Sequence, residues 1–423
     1  MKNRPKAILA MSAAAVICLS SCSDKTEINL AGQPCEIYFS WWGKDIRHNY
    51  TINAIKYFEN QNPDIDVVPE YNEWTGFQKR MDVELSSHTE ADVMQINYDW
   101  LYKYSSDGEG FYDLNELSDY IRLENFSEEA LAYGTVEGKL NGIPTALNAQ
   151  TMFYNKTIYD KYDLELPKTW NDLFTAAEAM SADGIYPMEL NLKQMWLSSV
   201  AYEEQLSGIE FADENGNLNF TQENIADMLL FYKSLIDRKV TKPVEELDKN
   251  DFVNGKSAGT MYWISDAEYY CVPAQKNGYT IVAGDYLTME EAKLTGWYAK
   301  PTTLYAIKRD TESPEAAAKL LDFLVNSEEM TSAQGLEKGI PISRSALEVL
   351  EANDMLDGIQ YEANEKLAQN SDKISCINPI LENSELIDAF KSSFDEIYYD
   401  GADIAEVSAK LYDSFLQITN ANG

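Results

Sequence analysis

The alternation that opens the folded part of this chain constrains its architecture most. Residues 36–40 read as a strand, and Ile52, Ile55 and Phe58 then recur at helical spacing in a helix that must stop before Pro63. Residues 65–68 are strand-like again. Trp74, Phe77, Met81 and Leu85 mark a second helix, and residues 92–96 a third strand. Strand, helix, strand, helix, strand in this rhythm predicts parallel βα units and an α/β fold.

What precedes that rhythm concerns destination. Lys2, Arg4 and Lys6 lead into an apolar run from Ala7 that ends in Leu19-Ser20-Ser21-Cys22. A charged start, a short apolar core and small residues before the cut make a secretory signal, too short to be an ordinary spanning helix. The final four residues resemble the lipobox of bacterial lipoproteins. That resemblance implies a signal over residues 1–21, an acylated (palmitate-bearing) Cys22, a tether over residues 22–34 and residence on the extracytoplasmic face of the bacterial membrane. The 402 residues left are too many for one ordinary domain and suit two lobes.

Losing residues 1–21, with three basic residues and no acid, takes the formal net charge from −36 to about −39. Such a surface repels phosphate backbones and anionic head groups, which excludes nucleic acid as a partner and makes a neutral or cationic ligand easier to accommodate. Cys35, Cys271 and Cys376 follow no metal-like spacing, and the sequence leaves open one disulfide or three thiols.

Further along, residues 139–156 read as extended. Thr169 and Asp172 have capping-box form ahead of Leu173, Ala176 and Met180, and Thr221 opens a helix carrying Ile225, Met228, Leu229, Tyr232 and Ile236. Residues 259–263 and 303–307 are short strands. Pro314 suits the first position of a helix through Ala317, Leu320, Leu321 and Leu324, and Leu386, Phe390, Phe394 and Ile397 fall in one helical register.

With these elements placed, eight local patterns occur in an order that resembles the family 1 extracellular solute-binding proteins, the substrate-binding lipoproteins of carbohydrate ABC importers related to maltose-binding protein. They lie at residues 58–65, 91–94, 138–144, 152–156, 167–173, 252–258, 313–317 and 339–341. The resemblance implies a two-lobed, periplasmic-binding-protein-like type II fold with a hinge and an interlobe cleft. One lobe would take residues 35–147 plus 302–348, the other 148–301 plus 349–423. It further implies a monomeric receptor without catalysis, cofactor or metal, which captures a carbohydrate and delivers it to ABC permease subunits.

Sugar binding makes demands that residues can meet. Pyranose C–H faces stack on aromatic rings, and desolvated hydroxyls need paired donors and acceptors from short carboxylates and amides. Loops at strand ends should therefore set Trp or Tyr beside Asp or Asn. Trp42, Lys44 and Asp45 follow the first strand, and Asn97, Tyr98 and Asp99 another. Asn148 and Gln150 lie at the first crossing and Trp196 in a polar stretch. Trp263 and Asp266 follow a short strand, and Trp297 and Tyr298 precede the return crossing. These aromatic loops, poor in lysine and arginine, favour a neutral oligosaccharide. A secreted polysaccharide-degrading enzyme, or a receptor for a polyamine or peptide, are the alternatives.

Three motifs mislead. Gly255-Lys256-Ser257-Ala258-Gly259 has the nucleophile-elbow pattern, but a helix-like segment precedes it and a strand follows, the reverse of what an elbow needs. The same Gly-Lys-Ser lacks the earlier glycine of a P-loop, because Asn250 stands there. Asp213 to Asn219 is similar to a calcium loop, yet Leu218 sits where glycine is required, and a hairpin turn through Asn215-Gly216 fits better.

Overall fold

The computed structural model describes residues 34–422. The signal, the lipid attachment at Cys22 and the tether up to residue 33 lie outside the described residues. Strand β1 (Cys35–Trp42) pairs in parallel with β2 (Ile65–Asn72) along its whole length, across the helix α1 (Asp45–Gln61). After α2 (Trp74–Ser87), β3 (Val93–Ile96) joins the other side of β1, again in parallel. The parallel units expected from the sequence are present. Ile37, Phe39 and Trp41 alternate along β1 and are fully buried, with Phe39 and Trp41 ring centroids 4.8 Å apart. Trp41 donates its Nε1–H to His48 Nδ1 at 3.2 Å, satisfying the indole where it enters the core and tying strand to helix. Helix α1 ends at Gln61, before Pro63, and Phe58 packs at 5.3 Å on Phe323 of the helix Pro314–Asn326.

Two further strands complete this sheet, of which the first runs against the parallel ones and the second runs with them. The strand Leu304–Ile307 lies antiparallel to β3, with Ile143–Pro144 beyond it. The antiparallel sense arises because the chain leaves this lobe and returns to it. The second sheet is built on the strand Leu147–Asn155, which pairs antiparallel with Gly259–Trp263, Ile281–Ala283 and Tyr298–Pro301; Ser375–Cys376 adds to the last of these in parallel. The molecule is thus a two-lobed α/β fold of the type II binding-protein class, with a cleft where strand ends of both sheets meet.

The lobes are joined by two closely paired crossing segments. Thr145 N–H donates to Thr303 O at 3.0 Å, and Thr302 N–H to Ala146 O at 2.9 Å. A third strand of chain backs them through a bridge from Ala146 to Pro341. Gly339 turns into this bridge at φ 99°, where a Cβ would lie 3.0 Å from that of Ala146.

The expected capping box forms at Thr169/Asp172, and the helix that Thr221 opens carries a second one, with Asn224. A third, Asn191/Gln194, opens the helix Leu192–Ser207, which periodicity does not reveal. Its buried residues run from Gln194 through Gln205 and include Ser198, Ser199, Glu203 and Glu204, so no apolar stripe stands out. The hairpin at Asn215-Gly216 is present, with Gly216 at φ 78° and the Asp213 carboxylate accepting from the backbone N–H of Asn215 and Asn217. Residues 255–259 lead into a strand, leaving the elbow pattern without its geometry. Cys35, Cys271 and Cys376 are free thiols.

Candidate ligand-binding site

The floor of the cleft comes from the second sheet. Asn148, just past the first crossing, donates from Nδ2 to Ser265 Oγ at 3.0 Å and accepts from Ser265 N–H at 3.2 Å. This reciprocal pair fixes the turn that follows Trp263. Gln150 lies opposite Trp263 in the ladder, on the Asn148 face of the strand; it is buried, and its Oε1 has no partner within the protein. Lys300 stands opposite Asn148. Its ammonium lies 4.5 Å from the Trp263 ring centroid, and that of Lys193 lies 5.6 Å from it.

Both lysines converge on Glu382, which accepts from Lys300 at 2.7 and 2.9 Å and from Lys193 at 2.5 Å. Desolvation pushes the Glu382 carboxyl up, but Lys300 and Lys193 outweigh it and hold the group below its ordinary range. Asp266 is raised by desolvation.

The opposing wall belongs to the first sheet. Trp42, at the end of β1, packs among Trp74 at 4.9 Å, Phe77 at 5.3 Å and Trp100 at 6.1 Å, and Trp74 remains 38 % exposed. Asp99 opens the short helix Asp99–Tyr104 and accepts from Asn97 Nδ2 at 2.5 Å. Its carboxyl is open to water yet raised, first by desolvation and further by the charge of Glu382 in the other lobe. Tyr98 spans the lobes through a hydroxyl–thiol contact with Cys376, whose thiol burial pushes up to about 12. Lys44 and Asp45 are exposed at the start of α1, where Asp45 also complements the helix dipole.

Of the residues singled out in the sequence, Tyr98 and Asp99 of the first lobe face Cys376 and Glu382 of the second, and Asn97 holds Asp99. Asn148 and Trp263 lie beside Ser265 and Lys300, and Asp266 follows Trp263. Trp42, Lys44 and Asp45 stand where β1 ends and α1 begins. Three others are committed elsewhere. Trp196 is fully buried, donates Nε1–H to Leu381 O at 2.9 Å and meets Phe211, Phe390 and Phe415 edge-on; it is a core ring with no face left for a ligand. Trp297 is likewise buried, donating to Leu287 O at 2.7 Å and packing on Trp170. The Tyr298 hydroxyl is committed to Glu204 at 2.6 and 2.7 Å. Trp297 and Tyr298 border a separate depression of about 610 Å³ that none of the cleft residues above lines.

Sequence reasoning missed Lys193, Lys300, Glu382 and Trp74. Lys300 stood one residue before the return crossing and was within reach of that logic. Trp74 was read as helix core, and nothing local marks Lys193 or Glu382. Among the described residues no group of His, Cys, Asp and Glu is placed to hold a metal ion, and no helix is long and apolar enough to cross a membrane.

Two lobes, paired crossings and an aromatic, hydrogen-bonding cleft define a solute-binding protein. Residues 48–331 match the bacterial extracellular solute-binding protein family, and the chain belongs to it. It is the extracytoplasmic solute-binding component of an ABC transporter, in a family of binding proteins without catalytic activity. A Brucella abortus chain named as a binding protein is 24 % identical over 304 residues, covering 70 % of this chain and 73 % of that one. An arabinooligosaccharide-binding protein of Halalkalibacterium halodurans is 32 % identical over 133 residues, 30 % of this chain and 29 % of that one. A solved periplasmic oligogalacturonide-binding protein from Yersinia enterocolitica superposes with a TM-score of 0.82 at 28 % identity, over 92 % of this chain and 100 % of that one.

Proposed function

We propose that the protein captures an oligosaccharide in its interlobe cleft and hands it to ABC permease subunits, as a monomer held to the membrane by lipid at Cys22. The observation that carries this reading is the composition of the cleft. An indole (Trp263) lies beside a fixed amide (Asn148) and an amide oxygen without a protein partner (Gln150 Oε1), with a second aromatic wall at Trp42 and Trp74 opposite. Rings and short amides are what a sugar's C–H face and vicinal hydroxyls require. The arabinooligosaccharide- and oligogalacturonide-binding relatives support the same class. The lobe boundaries given above assign the crossings to residues near 147 and 302.

A thermal-shift screen against oligosaccharides tests this. A ligand at a hundred times its dissociation constant contributes about 2.7 kcal/mol, which for a chain of this length raises the midpoint by roughly 3 °C. Response to an amine or peptide and to no sugar refutes the carbohydrate reading. For the anchor, Cys22→Ala is expected to release the protein from cells with ligand affinity intact, and continued membrane retention overturns it.

A further inference from the structure

We infer that the captured oligosaccharide carries a carboxylate, as a uronic acid does, and that this group is bound by Lys193 and Lys300 beside Trp263. The inference rests on the oligosaccharide reading above and deepens it.

Acids outnumber bases 70 to 34 in this sequence, yet two ammonium groups converge at the cleft floor on a single carboxylate. They arrive from unrelated elements, Lys193 from the first turn of the helix Leu192–Ser207 and Lys300 from the strand Tyr298–Pro301. Glu382 stays ionised between them, so the trio keeps one net positive charge. None of the three is sealed off: the side chains of Lys193, Lys300 and Glu382 are 35 %, 25 % and 27 % exposed.

Each ammonium has three N–H donors. Lys193 makes one contact with Glu382 and Lys300 two, leaving donors available to an incoming acceptor. A hydroxyl fills such a donor without answering its charge. A carboxylate does both, through charge-assisted bonds about twice as strong as neutral ones.

Asp99 and Asp266 carry the opposing charges on this side of the molecule, and desolvation raises both carboxyls. The carboxyl of a uronic acid projects from the ring edge, so the same sugar can lay a C–H face on an indole and extend its carboxylate to a lysine.

The test is calorimetric titration of the full chain with trigalacturonate, a glucuronate-capped xylotriose, the methyl ester of trigalacturonate, maltotriose and arabinotriose. At least one acidic sugar is expected to bind about tenfold or more tightly than the ester and the neutral sugars, with an affinity that falls as salt is raised. Lys300→Gln and Lys193→Gln are expected to shrink the acid-to-ester ratio while sparing the ester. The acid–ester comparison on the unaltered protein decides the matter even if a variant fails to fold. Equal or weaker binding of the acids overturns the charge inference and leaves the oligosaccharide reading standing. Binding of no sugar at all overturns both.

Discussion

Glu204 offers a prediction whose size follows from the structure. Its side chain is 1 % exposed, and desolvation raises its carboxyl from 4.5 to about 7, against the opposing pull of the Tyr298 hydroxyl and the Phe211 N–H. Below pH 4.5 the group is protonated in folded and unfolded chains alike and contributes no pH dependence. Between 4.5 and 7 the unfolded chain loses its proton while the folded one keeps it, so stability falls as pH rises, and above 7 the loss is complete. At about 1.4 kcal/mol per pH unit this amounts to roughly 3 kcal/mol. In Glu204→Gln the amide oxygen still accepts from Phe211 N–H, which lies 2.8 Å from Oε1, and from Tyr298, and no ionisation follows. Relative to the parent, the variant should therefore gain roughly 3 kcal/mol between pH 4.5 and 8 in urea unfolding. Glu189 and Glu203, also raised to about 7, give both proteins a common slope that cancels in the difference. A pH-independent difference would refute the assignment of a carboxyl raised by desolvation at Glu204.

Trp196→Ala should cost about 3–5 kcal/mol of stability while the folded fraction binds ligand normally, measured by denaturation and calorimetry in parallel. Trp263→Ala should do the reverse, lowering affinity tenfold or more with a small change in thermal midpoint, and unchanged affinity counts against the cleft floor as drawn. Gly339→Ala puts a Cβ 3.0 Å from that of Ala146 at φ 99° and should lower the midpoint by an amount equivalent to about 1 kcal/mol or more. Cys376, with its thiol raised to about 12, should react with a maleimide at pH 8 orders of magnitude more slowly than the denatured chain, and ligand should slow it further; rapid labelling with ligand bound argues against the Tyr98 contact.

The fold was legible where one local signal sufficed. The β1–α1–β2–α2–β3 run, the caps at Thr169 and Thr221, Pro314 and the Asn215-Gly216 turn are each written within a few residues, and each forms. The site was legible only in part. Asn148, Asp99 and Trp263 follow from strand ends that open on the cleft. Trp196 and Trp297 carry the same local signature of an aromatic beside polar residues, and what removes them to the core is a partner far along the chain, Phe390 and Phe415 for one and Trp170 for the other. The expectation of a neutral ligand failed to reckon with lysines for the same reason. It surveyed loops, whereas Lys193 sits on a helix and meets Glu382 189 residues away.

The division of the site between lobes also bears on what a ligand must do. A ligand shifts an open–closed equilibrium only by its difference in affinity for the two states. Contact with Asn148, Gln150, Trp263 and the lysines alone is available whether or not the lobes approach, so it adds affinity without favouring closure. Closure gains from groups of the first lobe that meet the second, as Tyr98 meets Cys376 here: Asp99 and the Trp42–Trp74 wall. Asp99 is suited to that part. Asn97 already donates to its carboxylate, and ring hydroxyls of a sugar on the floor would fill its remaining acceptor positions as the lobes meet. On the proposed reading, the lysine pair would select what enters the cleft, and Asp99 with its aromatic neighbours would favour closure on it.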